Sequence, residues 1–400
     1  MPRLKIALVT PGFSSDERDW CIPSLLDFVR CLAAQADVHV FALRYPHRLD
    51  RYPVYGATVH SLNGVGAAGW RSPWLWARAV RALAAEHRRG AFDALHAFWA
   101  YEPGPIAVWG GRQLGVPVVV SLAGGEVVGL REIASPGGLS KMLQSSARGY
   151  GLQLWPHRRA LVRWALRRAQ CVTAGSRYLL RLADGAAEHL ALAPLGVDTD
   201  LFSPAPQPAR QDALILNVAS LVTVKDQAGL LTAFAEISSD FPRSRLLLAG
   251  EGTLRPALEH LARQLEIEDR VTFLGALPHD TLPDLYRSAA FCVQSSLHEA
   301  QGMAVLEAAA CGTPTVGAAV GVLPELAPAE WLARPGDSGD LARVMRHSLN
   351  HVAALRETGT AMRIATERGY ALGGCVEQFL ECYRRAARTR RRQPGIIGRT

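Results

Sequence analysis

The chain has 400 residues, 49% hydrophobic and 20% charged, with a formal net charge of +8. This hydrophobic content excludes a disordered chain, and the length exceeds one ordinary core, so two domains of about 200 residues are expected. The apolar runs at residues 117–122 and 213–224 are too short or too polar to span a bilayer.

Strand-like runs alternate with helix-like runs from the start. Residues 1–10 lead straight into a strand, KIALVT, with no secretory leader expected. Further strands are expected at residues 38–43, 94–98, 116–122 and 171–174, with helices at 22–36 and 72–87, the pattern of a parallel sheet. A Pro-rich stretch, SPAPQPARQ (residues 203–211), then reads as a linker. A second set of strands follows at 213–218, 245–249, 271–274, 291–294 and 315–316. Doubly wound sheets of this kind bind ligands at the C-terminal ends of their strands, here facing a cleft between two lobes.

Charge is uneven. Residues 1–200 hold 23 Lys+Arg against 15 Asp+Glu, and residues 201–400 hold 21 of each. The densest patch runs from Arg148 to Arg168, where six arginines and no acid are interleaved with Tyr150, Trp155 and Trp164. Two readings stand: an anionic membrane surface or phosphate-rich acceptor, or a solvated helix face with snorkelling arginines. Nucleic acid is not expected. The Arg-rich tail at residues 390–400 is ambiguous in the same way and is expected to fray. Seven cysteines without a C-x-x-C pair favour reduced thiols in a cytosolic setting and no metal site.

Residues 298–317, HEAQGMAVLEAAACGTPTVG, set Glu299 and Glu307 eight residues apart with Gly302 between them. Gly302 breaks regular structure and MAVLEAAA forms helix strongly until Gly312 and Pro314, so a helix should begin near Gly302. The first-turn N–H groups at Gly302, Met303 and Ala304, with the positive end of the helix dipole, suit a diphosphate. Helical rise separates the carboxylates by about 12 Å, and each accepts two hydroxyl donors, so one suits a ribose diol and the other a hexose. A lone pair at this spacing also fits glutamates that merely face water. The surrounding order of strand, loop, helix and strand argues for phosphate binding.

This segment resembles the donor-site motif of retaining glycosyltransferases of the GT-B fold, family 4. Leu195, Gly196, Val197, Asp198 and Phe202 resemble the family's N-G-V-D-x-x-x-F element, and ASLVTVK (residues 219–225) resembles its G-R-L-x-x-x-K element. LLLAGEGTLRPALE (246–259), RVTFLGALPHDTLPDLYRSA (270–289) and residues 370–388 match the later elements and the closing helix. The resemblance covers residues 4–388 and is stronger in the second half.

It implies an α/β protein of two Rossmann-like, doubly wound parallel-sheet domains facing a cleft. These are residues 1–202 on the acceptor side, a linker at 203–212, a nucleotide-sugar domain at 213–370 and a helix at 371–389 that packs back on the first domain. A nucleoside-diphosphate-sugar is the implied donor, with no metal and no further cofactor. Gly12, Ser220, Lys225, Gly252, Leu274, Glu299, Gly302, Met303, Ala304 and Glu307 would hold it. Lys225 would neutralise the departing diphosphate, Glu299 would position the sugar and Glu307 would bind ribose. An exposed loop lysine is the rival reading of Lys225. His96, Gly124 and Glu126 are acceptor-side candidates, with core packing for His96 and simple solvation for Glu126 as alternatives. The acceptor would be a glycan, a lipid-linked sugar or a small molecule, and the location cytoplasmic or peripheral to the membrane.

Two positions depart from the family: Ser220 stands where an arginine is usual, and Ala123 where many members have a histidine. The first puts more of the diphosphate's charge on Lys225. A nucleotide-sugar epimerase and a non-catalytic membrane-surface module are the alternatives. Gly64, Gly66 and Gly69 form a G-x-G-x-x-G, but not at the first strand-to-helix turn, so a loop is preferred to a nicotinamide site. Asp198 and Asp200 form a D-x-D in a domain-end turn and are read as structural.

Overall fold

Short runs rich in Val, Leu and Ile that bury both faces make parallel strands, because helices must cover a parallel sheet on either side. A computed structural model describes residues 3–67, 72–127, 156–205 and 211–391. Among these, the first sheet contains β1 (Lys5–Gly12), β2 (Asp37–Tyr45), β3 (Leu49–Val54), β4 (Ala57–Leu62), β5 (Ala94–Phe98), β6 (Val118–Leu122), β7 (Cys171–Ala174) and β8 (Leu190–Leu192). Their order is β3-β4-β2-β1-β5-β6-β7-β8. The second sheet contains β9 (Gln211–Val218), β10 (Arg245–Ala249), β11 (Val271–Gly275), β12 (Ala289–Gln294), β13 (Thr315–Ala318) and β14 (Leu332–Ala333), in the order β11-β10-β9-β12-β13-β14. This is the two-lobed, doubly wound arrangement expected.

One pairing departs from the parallel pattern. β3 runs antiparallel to β4, because only Tyr55 and Gly56 join them. Both take positive φ, 45° and 79°, the left-handed pair that matches the twist of a two-residue hairpin. The sequence carries Tyr-Gly there instead of the usual Asn-Gly or Asp-Gly signal.

Two cores flank the first sheet. On one face the helices Ser72–Arg89, Pro103–Leu114 and Pro156–Arg168 bury Leu83, Ile106 and Val162 against it. On the other, the helix Pro23–Ala33 meets the C-terminal helix Leu372–Arg391. There Phe379 packs edge-on against Phe28 at 4.9 Å, and Val376, Phe379 and Tyr383 are fully buried. The last helix therefore belongs to the first lobe's core although its chain emerges from the second. The crossing is sealed where Val197 and Ala371 pair, with Val197 N–H donating to the Tyr370 carbonyl at 2.8 Å.

The parallel strands of both lobes point their C-terminal ends at a common cleft. Further contacts hold the lobes together: Ser176 Oγ donates to the Ala300 carbonyl (2.6 Å), and Arg177 N–H donates to Glu325 (2.6 Å).

Candidate functional site

The cleft encloses a cavity of about 350 Å³ whose walls come from the ends of β5, β6, β7, β9 and β12. On the second lobe, two loops are stitched together. Leu297 N–H donates to the Val224 carbonyl (2.8 Å), and Ser295 Oγ donates to the Lys225 carbonyl (2.7 Å). That stitching brings two expected residues into contact: Lys225 Nζ lies 2.5 Å from Glu299 Oε1, which also accepts from Ser296 Oγ at 2.7 Å. Among the described lining residues, Lys225 is the sole lysine or arginine.

The helix after Glu299 runs from Met303 to Ala310, with Gly302 as its N-cap at φ 94°. A Cβ there would be strained by that φ and would crowd Gln294 Oε1 at 3.2 Å, so glycine fits best. Gly302, Met303 and Ala304 line the cavity, which places the unpaired first-turn amides at its wall. Ser220 and Gly124 also line it.

Other expected residues are set apart from the cavity wall. Glu307 is buried, with Oε2 accepting from Tyr286 Oη at 2.7 Å and Oε1 3.3 Å from His279 Nε2. Burial pulls His279 down, but the hydrogen bond and charge of Glu307, with Asp27 and Asp280 behind, outweigh it and hold the imidazole above its ordinary value. Trp20 of the first lobe packs over His279 with ring centres 4.9 Å apart. The ribose role implied for Glu307 is thus met by a carboxylate already engaged by two neighbours.

Gly12 ends β1 against Tyr45 and does not reach the cavity. Gly252 is a packing glycine, since a side chain there would strike the Leu221 carbonyl. Leu274 packs on the second lobe's core.

The acceptor-side readings of His96 and Glu126 are corrected. His96 is fully buried, with Nδ1 2.7 Å from Tyr383 Oη and Nε2 2.7 Å from Ser121 Oγ, and burial lowers its pKa to about 3. It is a core hydrogen-bonding residue that joins β5 to the last helix. Glu126 accepts from the amides of Ala100, Ala123 and Gly124 at 3.2, 3.2 and 2.7 Å. Burial raises its pKa against the pull of those amides. Its carboxylate fixes a turn through these three amides.

That turn matters through a residue not singled out in the sequence. His298 Nε2 lies 3.2 Å from the Gly124 carbonyl and Nδ1 3.1 Å from Tyr178 Oη. A ring nitrogen facing a carbonyl must carry the proton, so Nε2 donates and Nδ1 accepts from the tyrosine. Burial lowers the His298 pKa, in keeping with this neutral form. His298 ties the lobes together directly beside Glu299; the only signal was adjacency to that glutamate. Gln301 does the same from the other side, accepting the Leu195 amide at 3.0 Å through Oε1. Gln301 Nε2, Asn217 Oδ1 and Thr315 Oγ1 are buried in the cavity wall without protein partners. Buried polar atoms of this kind call for water or a ligand rich in oxygen.

Asp198 caps its own turn, accepting from the Asp200 and Leu201 amides, and pairs with Arg30 at 2.6 Å. Gly69 and residues 148–155 of the basic patch lie outside the described residues. Among the described residues, His39, His60 and Glu86 have the spacing of a cation site, but away from the cleft. Glu86 there already meets Lys5 at 3.1 Å, Arg89 at 3.2 Å and Arg51 at 3.6 Å.

The sequence signature described as Glycosyl transferases group 1 matches residues 198–360, and that of Glycosyltransferase Family 4 matches residues 24–213. EpsF of Bacillus subtilis is 30% identical over 280 residues, 66% of this chain and 67% of EpsF. The chain spans from 29% to 67% of the length of this and three other curated relatives. Among solved structures, sucrose-phosphate synthase from Thermosynechococcus elongatus superposes with a TM-score of 0.74 at 23% identity, covering 97% of this chain and 100% of that one. The Anabaena protein HepE in complex with UDP-glucose superposes at 0.69 with 21% identity, covering 95% and 99%. At these identities the two structures speak for the fold.

Proposed function

Since the chain belongs to the group 1, family 4 glycosyltransferases, we propose that it transfers a sugar from a nucleoside-diphosphate-sugar to a glycan, a lipid-linked sugar or a small molecule, with retention and without a catalytic metal. The observation that carries this reading is the contact between Lys225 and Glu299 beside the helix that starts at Gly302. A diphosphate leaving group gathers negative charge as its bond to the sugar breaks. Lys225 and the Gly302–Ala304 amides are placed to receive that charge, a preorganised stabilisation that does not wait for solvent to rearrange. Glu299, held by Ser296, is then the acceptor for sugar hydroxyls. Glu307, behind the cavity wall, is kept as the proposed ribose acceptor. With Ser220 in place of an arginine, Lys225 bears the larger share of the charge.

The lobe contacts through His298 and Gln301 hold the two lobes together beside these groups, and closing the cleft further over a bound donor would limit hydrolysis. HepE, the UDP-glucose-bound neighbour, supports a nucleotide-sugar donor. Both family descriptions name transfer, so epimerisation is not retained. The proposed location is the cytoplasm, free or peripheral to the membrane. A screen of UDP-, GDP- and ADP-sugars, read by release of free nucleotide, tests the reading. Turnover that survives intact in both Lys225→Ala and Glu299→Gln removes it.

A further inference from the structure

The helices Ser72–Arg89, Pro103–Leu114 and Pro156–Arg168 lie side by side on one face of the first sheet. Together they contain ten arginines, no lysine, no aspartate and a single glutamate. That glutamate, Glu86, is only 4% exposed and is turned inward onto Lys5. Among the described residues, the charges these helices show to water are therefore positive throughout, with Arg81, Arg112, Arg163, Arg167 and Arg168 among them. Three helices alone carry an excess of nine positive charges, more than the whole chain's +8.

A solvated face has no need of such one-sidedness, since interspersed acids lower self-repulsion. Of the large hydrophobic side chains left in solvent among the described residues, the two aromatics, Trp74 at 48% and Trp109 at 52%, lie in this same layer. Arg78 lies 3.7 Å over the Trp74 ring. Arginine beside indole is the composition that settles at the boundary between headgroups and acyl chains. None of the described helices is long and apolar enough to cross a membrane, so any attachment through this layer is lateral.

We propose that this three-helix layer docks on an anionic lipid surface. Exposed tryptophans favour lipid over a nucleic-acid backbone, which arginine alone would satisfy. The docking goes beyond the transfer reading and does not depend on it.

The test is co-sedimentation of the full chain with phosphatidylcholine vesicles, with and without about 30% phosphatidylglycerol. Wild type is expected to bind the anionic vesicles, to release with salt, and to ignore neutral ones. Arg163→Glu with Arg167→Glu should weaken binding at least about tenfold, and Trp74→Ala with Trp109→Ala about fivefold. The proposal is overturned if wild type ignores anionic vesicles, binds neutral ones equally, or is matched by both double variants. Loss of affinity for a duplex DNA fragment, with vesicle binding unchanged, would make the layer a nucleic-acid surface instead. UDP binding without lipid, unchanged in both variants, separates failure of docking from failure of the transfer reading.

Discussion

Lys225 Nζ and Glu299 Oε1, 74 positions apart in sequence, meet at 2.5 Å at the wall of the cleft. With 23% and 14% of their side chains exposed, the pair is sheltered but still open to a ligand. It holds both groups ready while leaving each to be shared with a substrate. Lys225→Ala should lower turnover by about 100-fold or more, equivalent to ~3 kcal/mol of transition-state stabilisation. Nucleotide release under saturating donor measures this, and an unchanged rate would place the lysine outside the chemistry.

Glu307 behaves differently because it is part of the fold as well as of the proposed ribose site. Removing its carboxylate strands Tyr286 Oη and His279 Nε2 in a buried place. Glu307→Ala should cost about 2–4 kcal/mol of stability, and Glu307→Gln distinctly less because an acceptor oxygen survives. Urea midpoints of the two variants give the comparison.

His279 has a pH signature. Its folded-state pKa is raised, so the stabilisation it gains from Glu307 is fully present below about 6.5, the unfolded value. It is lost as pH rises through the folded value. Unfolding free energy measured from pH 6 upward should fall in wild type and stay flatter in His279→Gln. Equal slopes would deny the pairing.

His96 works in the opposite direction. The unfolded chain takes up a proton near pH 6.5 while the folded ring resists until about 3. In that window the unfolded state binds more protons, so stability is lost as the pH drops, at up to about 1.4 kcal/mol per unit. His96→Gln should remove this share of the acid sensitivity, at the cost of lower stability at pH 7.

His298 joins two lobes through the Gly124 carbonyl and Tyr178 Oη. His298→Ala should cost about 1–3 kcal/mol and expand the molecule, visible as a larger radius of gyration in X-ray scattering. An unchanged radius would show that the bridge does not set the cleft.

The sequence made the strand-and-helix alternation readable because buried parallel strands are short apolar runs. β5 and β7 fall where that pattern places them. The helix at Met303–Ala310 was readable too, since Gly302 and Gly312 mark its ends. The hairpin at Tyr55–Gly56 was not, because its left-handed residues carry no Asn or Asp. His96 and Glu126 could be placed on strand ends but not oriented. Whether a side chain at a strand end faces the cleft or the core depends on what packs behind it, and for His96 that is Tyr383, 287 residues away. His298 and Gln301 act through contacts with the other lobe, which local pattern does not encode.

The route of the last helix has a consequence for how the molecule is made. Phe28, Phe98 and Phe379 share one core, yet Phe379 is translated long after the other two. Until residues 372–391 leave the ribosome, the Pro23–Ala33 side of the first lobe lacks its cover and shows bare aromatic surface. The first lobe's core is thus completed only when the chain's last helix is made, and a product truncated before Leu372 would keep that apolar face uncovered.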